Sequence, residues 1–190
     1  FSYDGQGYLR LALLEQVNPR LSGHRHGSKQ DISGLCQRLT KCESIDGMLE
    51  QIHNKRELFP GLDAVMFSDI YARKNKVVVY SKGELKEPLE PGSQFPYSGT
   101  IAENIEKENL EYLIVEDTHR SIKAIDWMLF VPKGICSYIA KACYERGAMR
   151  TVLIFCSTRQ SSFSEQQVSA VSEIALAFHK QLKRIRRSQA

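Results

Sequence analysis

The sequence predicts an α+β domain, and two observations carry that reading. Apolar residues recur at helical spacing near both ends of the chain, from Ile32 and again from Val168. Between them lie short runs rich in β-branched and aromatic residues, joined by polar turns. Helices that bracket antiparallel strands argue for α+β.

The elements follow in order. Residues 8–21 read as a helix through Leu11, Leu14, Val17 and Leu21, and SGHRHGSK then breaks it as a polar linker. Residues 1–27 are therefore an N-terminal helix and linker, and 28–190 the domain proper. Asp31 is expected to cap a helix carrying Ile32, Leu35, Cys36 and Leu39, and Ser44 one carrying Ile45, Met48, Leu49 and Ile52. Pro60-Gly61 stops the second. LDAVMFSDIY and KVVVYS, joined by ARKN, predict a hairpin. A loop with Pro88, Pro91, Gly92 and Pro96 leads to a short helix bearing Ile101 and Ile105, then to a strand in EYLIVED. Thr118 to Gly134 is mixed and has no clean period.

ICSYIAKACY and MRTVLIFCST form a second hairpin around ERGA, where Gly147 supplies the positive dihedral such turns need. The last helix, 164–188, is the best marked. Ser164 and Gln167 make a capping-box pattern, and Phe163 can staple onto Val168. Val168, Val171, Ala175, Phe178, Leu182 and Ile185 then repeat at spacings of 3, 4, 3, 4 and 3.

Composition narrows the function. The chain has 190 residues, 42% hydrophobic and 25% charged, which is enough for a core without disulfide or metal staples. No apolar run approaches a membrane span. The start, FSYDGQGYLR, lacks both a signal-peptide pattern and an initiator Met, so a domain excised from a longer protein is expected, with an output domain elsewhere in cis. The five cysteines (Cys36, Cys42, Cys136, Cys143 and Cys156) show no C-x-x-C spacing, and they point to a reducing cytoplasm. The net charge of +4 is a property of the tail, where Lys180, Lys183, Arg184, Arg186 and Arg187 cluster. That run has no aromatic interleaving, so direct nucleic-acid contact is not expected.

Catalytic motifs are missing: G-x-S-x-G, G-x-x-x-x-G-K and H-E-x-x-H do not occur. The chain is therefore expected not to be an enzyme. The rival reading needs Cys143 and His119 to meet as nucleophile and base. No metal site is expected. His24 and His26 read as linker, and His119 beside Asp117 either orients an imidazole or forms a surface turn.

Three stretches resemble the GAF family. DISGLCQRLTKCESIDGMLEQI is similar to its opening helix pair. PYSGTIAENIEKENLEYLIVED is similar to its Gly, short helix, apolar strand and Asp, with Gly99, Ile101, Ile105, Leu113, Ile114, Val115 and Asp117 in place. The stretch from Ile135 to Leu182 is similar to its last hairpin, Phe-Ser helix start and closing helix. PAS domains have a similar sheet, but this sequence has no PAS-like ending. The resemblance spans about residues 31 to 185. It implies a five- or six-stranded antiparallel sheet flanked by N- and C-terminal helices, with one face on the helices and the other under a pocket roofed by residues 92 to 130.

The resemblance also implies a sensory or regulatory role. Cyclic-nucleotide members carry N-K-F-D-E, whereas Asn54-Lys55-Arg56-Glu57 matches only its first two letters and precedes the first strand. Bilin-binding members need Cys followed by His, whereas Ser137 and Tyr144 follow Cys136 and Cys143. The sequence thus names no cofactor. By position, Phe95, Tyr97, Trp127 and Phe130 would wall a small-molecule pocket, and Ser98, Thr100, Asp117, His119, Arg120 and Ser137 would supply polar contacts. The alternative is a collapsed pocket in a ligand-free dimerisation module.

The closing helix, with Ala175, Phe178, Leu182 and Ile185, is expected to signal through a homodimer of the terminal helices. Its first part, through Phe178, is assigned to the sheet, and Leu182 and Ile185 to a partner helix. Otherwise the whole stripe packs on its own sheet. Histidine kinases, cyclic-dinucleotide enzymes and enhancer-dependent transcription activators are hosts the resemblance allows, the last preferred because the domain ends in a basic helix.

Overall fold

Residues 29–121 and 125–189 are described by a computed structural model. The helix and linker expected over 1–27 lie outside the described residues. Two helices, α1 (Lys29–Leu39) and α2 (Ile45–His53), precede strands β1 (Ala64–Tyr71), β2 (Lys76–Gly83) and β3 (Ser93–Phe95). Then come α3 (Ile101–Lys107), β4 (Tyr112–Val115), β5 (Ser137–Glu145), β6 (Ala148–Ser157) and α4 (Glu165–Ser188). The six strands form one sheet in the order β3-β2-β1-β6-β5-β4, and every neighbouring pair is antiparallel.

β1 and β6 occupy the centre, and their composition explains why. AVMFSDI is buried at every position, as a strand covered on both faces must be. Alternate residues serve two cores. Val65, Phe67, Ile139, Leu153 and Phe155 face α1, α2 and α4. Met66, Val79, Tyr138, Val152 and Ile154 face the opposite side, under α3 and residues 125–130. Rings organise the helical side: Phe67 meets Phe178 at 4.9 Å between centroids, and Phe59 stands edge-on to Phe155 at 4.9 Å. Each such buried ring contributes about 1.5–3 kcal/mol relative to exposure.

Local signals set the boundaries. Ser44 accepts the Gly47 N–H at 3.0 Å, and α4 opens with the full capping box of Ser164 and Gln167. The β5–β6 turn has two residues in the left-handed region, Arg146 (φ 52°) and Gly147 (φ 75°), as a type I′ turn requires. Asp31 lies inside the first turn of α1 rather than capping it, and it favours the helix through the macrodipole. Ser93–Phe95, read from sequence as loop, adds an edge strand by pairing with Val77–Val79.

The expectation for the end of α4 is corrected. Leu182 is 1% exposed and Ile185 7%, and both pack in the protein's own core with Ala175 and Phe178. A stripe at three- and four-residue spacing suits a sheet as well as a partner helix, and here the sheet and α1 take all of it. The outward stripe of α4 runs through Ser169, Glu173, Leu176, Lys180 and Arg184, which is polar apart from Leu176. Among the described residues no helix is long and apolar enough to cross a membrane.

α4 also carries a buried imidazole. His179 is 7% exposed, and its Nδ1 lies 3.0 Å from the Thr151 hydroxyl. Burial, with Lys183 and Arg186 nearby, holds its pKa below the ordinary histidine value, while Glu145 and Asp69 work in the other direction. The unfolded chain binds this proton at about pH 6.5 and the folded chain only at lower pH. The stability it contributes is therefore full above that pH and is lost as pH falls through the folded pKa. Urea unfolding of His179→Gln is expected to show a weaker loss between pH 7 and 5 than the parent protein. Equal slopes would exclude His179 as the source.

Candidate functional site

The interior face opposite α4 holds a small cavity. Its floor is a row across three strands. Ser68 on β1 is paired with Val79 on β2 and with Val152 on β6, and all three line the space. Its roof is Phe95 at the end of β3, the first turn of α3, and a turn carrying Ile125, Leu129 and Phe130.

The roof is built from short, locally specified pieces. Gly99 takes a φ of 83°, a left-handed geometry that favours glycine, and its N–H donates to the Glu103 carboxylate at 2.7 Å. Thr100 caps α3: its hydroxyl accepts the Glu103 N–H at 3.4 Å and donates to the Tyr97 carbonyl at 2.7 Å. Asp126–Phe130 winds as one π-helical turn, closed by Val131 N–H donating to the Asp126 carbonyl at 2.8 Å. Such turns are rare and frequently sit at functional sites. The Tyr138 phenol on β5 donates to Asp126 at 2.8 Å, and its ring stacks on Phe130 at 4.7 Å, which fastens this turn to the sheet.

Apart from Ser68 and Thr100, the described lining residues are apolar, and none is charged. The space open to a water centre is about 20 Å³, room for about one water molecule.

The residues singled out from sequence part company. Phe95, Thr100 and Phe130 line the cavity. Tyr97 is buried beside it, its phenol donating to Glu106, and burial together with that carboxylate pushes its pKa up. Ser98 is exposed and donates its N–H to Asn75 at 3.0 Å. Trp127 contributes backbone to the π turn, and its side chain is outside the described atoms. Asp117 and Ser137 fix the β6–α4 loop instead. Asp117 accepts from the Gln160 amide at 2.9 Å, and Ser137 donates to the Arg159 carbonyl at 2.6 Å. His119 and Arg120 are exposed in a 3-10 turn, with His119 Nδ1 3.8 Å from Asp117.

Ser68, Val79 and Val152 were not distinguishable in sequence. Alternation separates the two faces of a strand but does not say which face lies under the roof. The rival pairing of Cys143 with His119 fails on distance. Thr118, next to His119, donates its N–H to the Cys136 carbonyl at the start of β5, and Cys143 lies about 20 Å further along that strand.

No known family model matches the sequence, and no curated protein matches it. Solved structures do. The free methionine-R-sulfoxide reductase of Neisseria meningitidis, solved with its substrate, superposes with a TM-score of 0.66 at 15% identity, covering 84% of this chain and 90% of that one. The phycocyanobilin-bound GAF domain of a cyanobacterial phytochrome gives 0.64 at 14%, over 83% and 96%. The GAF domain of a two-component sensor histidine kinase from Bacillus halodurans gives 0.61 at 12%, over 78% and 100%.

The chain has the GAF fold.

At these identities the likeness is one of architecture. It agrees with the six-stranded sheet and its flanking helices, and it leaves the chemistry of this GAF-fold chain to its own side chains.

Proposed function

We propose that this GAF-fold chain is a non-catalytic regulatory domain that admits a small molecule to the cavity under α3 and the π turn. The observation that carries this reading is the placement of the cavity. Its floor and the seat of α4 are opposite faces of the same strands. Ser68 and Val152 line the cavity, while their chain neighbours Phe67 and Leu153 hold α4. A ligand that spreads this row shifts the equilibrium position of α4 by its differential affinity for the two arrangements. An output domain in cis, for which a transcription activator is one candidate, would read that shift.

Four of the five thiols support the non-catalytic part. Sulfoxide reduction at cysteine needs an accessible thiolate. Among the described lining residues there is no cysteine, and burial pushes the Cys36, Cys42, Cys143 and Cys156 thiols up. A second reading, a ligand-free packing module, is favoured by the small free volume.

Native mass spectrometry of freshly purified protein separates the two. The regulatory reading expects an excess mass that disappears on denaturation. A bare protein from every expression host would favour the packing module.

A further inference from the structure

Ser68 is the odd residue in its row. It sits at the middle of β1, 8% exposed, between two valines that face the same way. Among the described residues no group is hydrogen-bonded to its hydroxyl. The other hydroxyl of the lining, on Thr100, is engaged in capping α3. The Ser68 hydroxyl therefore faces the free space, where a water or the polar group of a ligand can meet it. The lining offers no charge to receive an ion, and an ion moved there from water would meet no counter-charge.

We infer that the cavity takes an uncharged, mainly apolar molecule with a single polar group, hydrogen-bonded to the Ser68 hydroxyl. The apolar body lies between the row Val79–Ser68–Val152 and the roof residues Ile101, Leu129 and Phe130. The π turn gives way to make room for it. This inference rests on the regulatory reading above and adds the chemical class of the ligand and the residue that reads it.

Phenol and benzene are a matched pair of probes, differing by one hydroxyl. Each is titrated into protein with methyl-labelled valine, leucine and isoleucine, and dissociation constants are read from the shifts of the lining methyls. Phenol is expected to bind about fivefold tighter than benzene, as one hydrogen bond provides. In Ser68→Ala the preference is expected to vanish while benzene still binds. Ser68→Val, which extends the apolar row into the free space, is expected to weaken both.

Binding of both probes with equal affinity in the parent protein, or a preference that survives in Ser68→Ala, would overturn the role of Ser68 and leave the regulatory reading intact. Binding of neither probe at the lining methyls would overturn both.

Discussion

Changing Leu182 and Ile185 together to lysine is expected to unfold the protein rather than to separate a dimer. Both side chains belong to the core shared by α4, α1 and the sheet, which also holds Phe67, Phe178, Leu153 and Leu39. An ammonium group buried at Leu182 loses its water, at a cost of several kcal/mol. Ile185, near the helix end, lets a lysine reach solvent along its stem, so Leu182 carries most of the effect. Domains of this size have about 5–15 kcal/mol in total, so the double change removes most of it.

The measurement is far-UV circular dichroism with a urea titration, alongside Leu176→Lys as control. Leu176 is 49% exposed on the outward stripe. Its change is expected to stay within about 0.5 kcal/mol of the parent. A folded double variant with a changed mass in solution would instead restore the partner-helix assignment.

Phe130→Ala is expected to cost about 3–5 kcal/mol and to make the cavity bind benzene more tightly than the parent does. The ring is fully buried, stacks on Tyr138 and closes the roof against the sheet. Its removal joins the space of one ring to the existing gap, and a mainly apolar hole of that size accepts benzene. Thermal unfolding with and without saturating benzene tests this. The variant should recover part of its lost stability by mass action, and a charged probe such as benzoate should return none. A loss below about 1 kcal/mol would mean that the ring does not hold the roof.

Much of the fold was legible because its signals are local. Ser44, Ser164 with Gln167, and Gly147 each specify a helix start or a turn within a few residues, and all three act as read. β3 was hidden because three residues on a sheet edge carry no period, and the neighbouring Pro91-Gly92 reads as loop. Leu182 and Ile185 were misassigned because a 3-4 stripe reports that a helix has an apolar face and says nothing of what covers it.

The site was legible only in outline. Phe95, Thr100 and Phe130, named by position, do line the cavity, whereas its floor residues come from strands about 10 to 90 residues away in sequence, beyond what a local pattern can join. Asp117 and Ser137 have the chemistry of pocket residues, but the β6–α4 loop uses them to satisfy its own backbone.

The order of the strands has a consequence for how the chain reaches this structure. β1–β2–β3 and β4–β5–β6 are each assembled mostly from near neighbours in sequence, but they join only through β1 and β6, about 90 residues apart. Closing that loop is therefore expected to be the slow step of folding. Until it is complete and α4 has docked, Val65, Phe67, Leu153 and Phe155 stand open on two unpaired strand edges. The capping box at Ser164 favours early formation of α4, close in sequence to β6. Chaperone dependence and aggregation during synthesis should therefore be set less by the final stability than by how soon this helix covers the seam between the two halves.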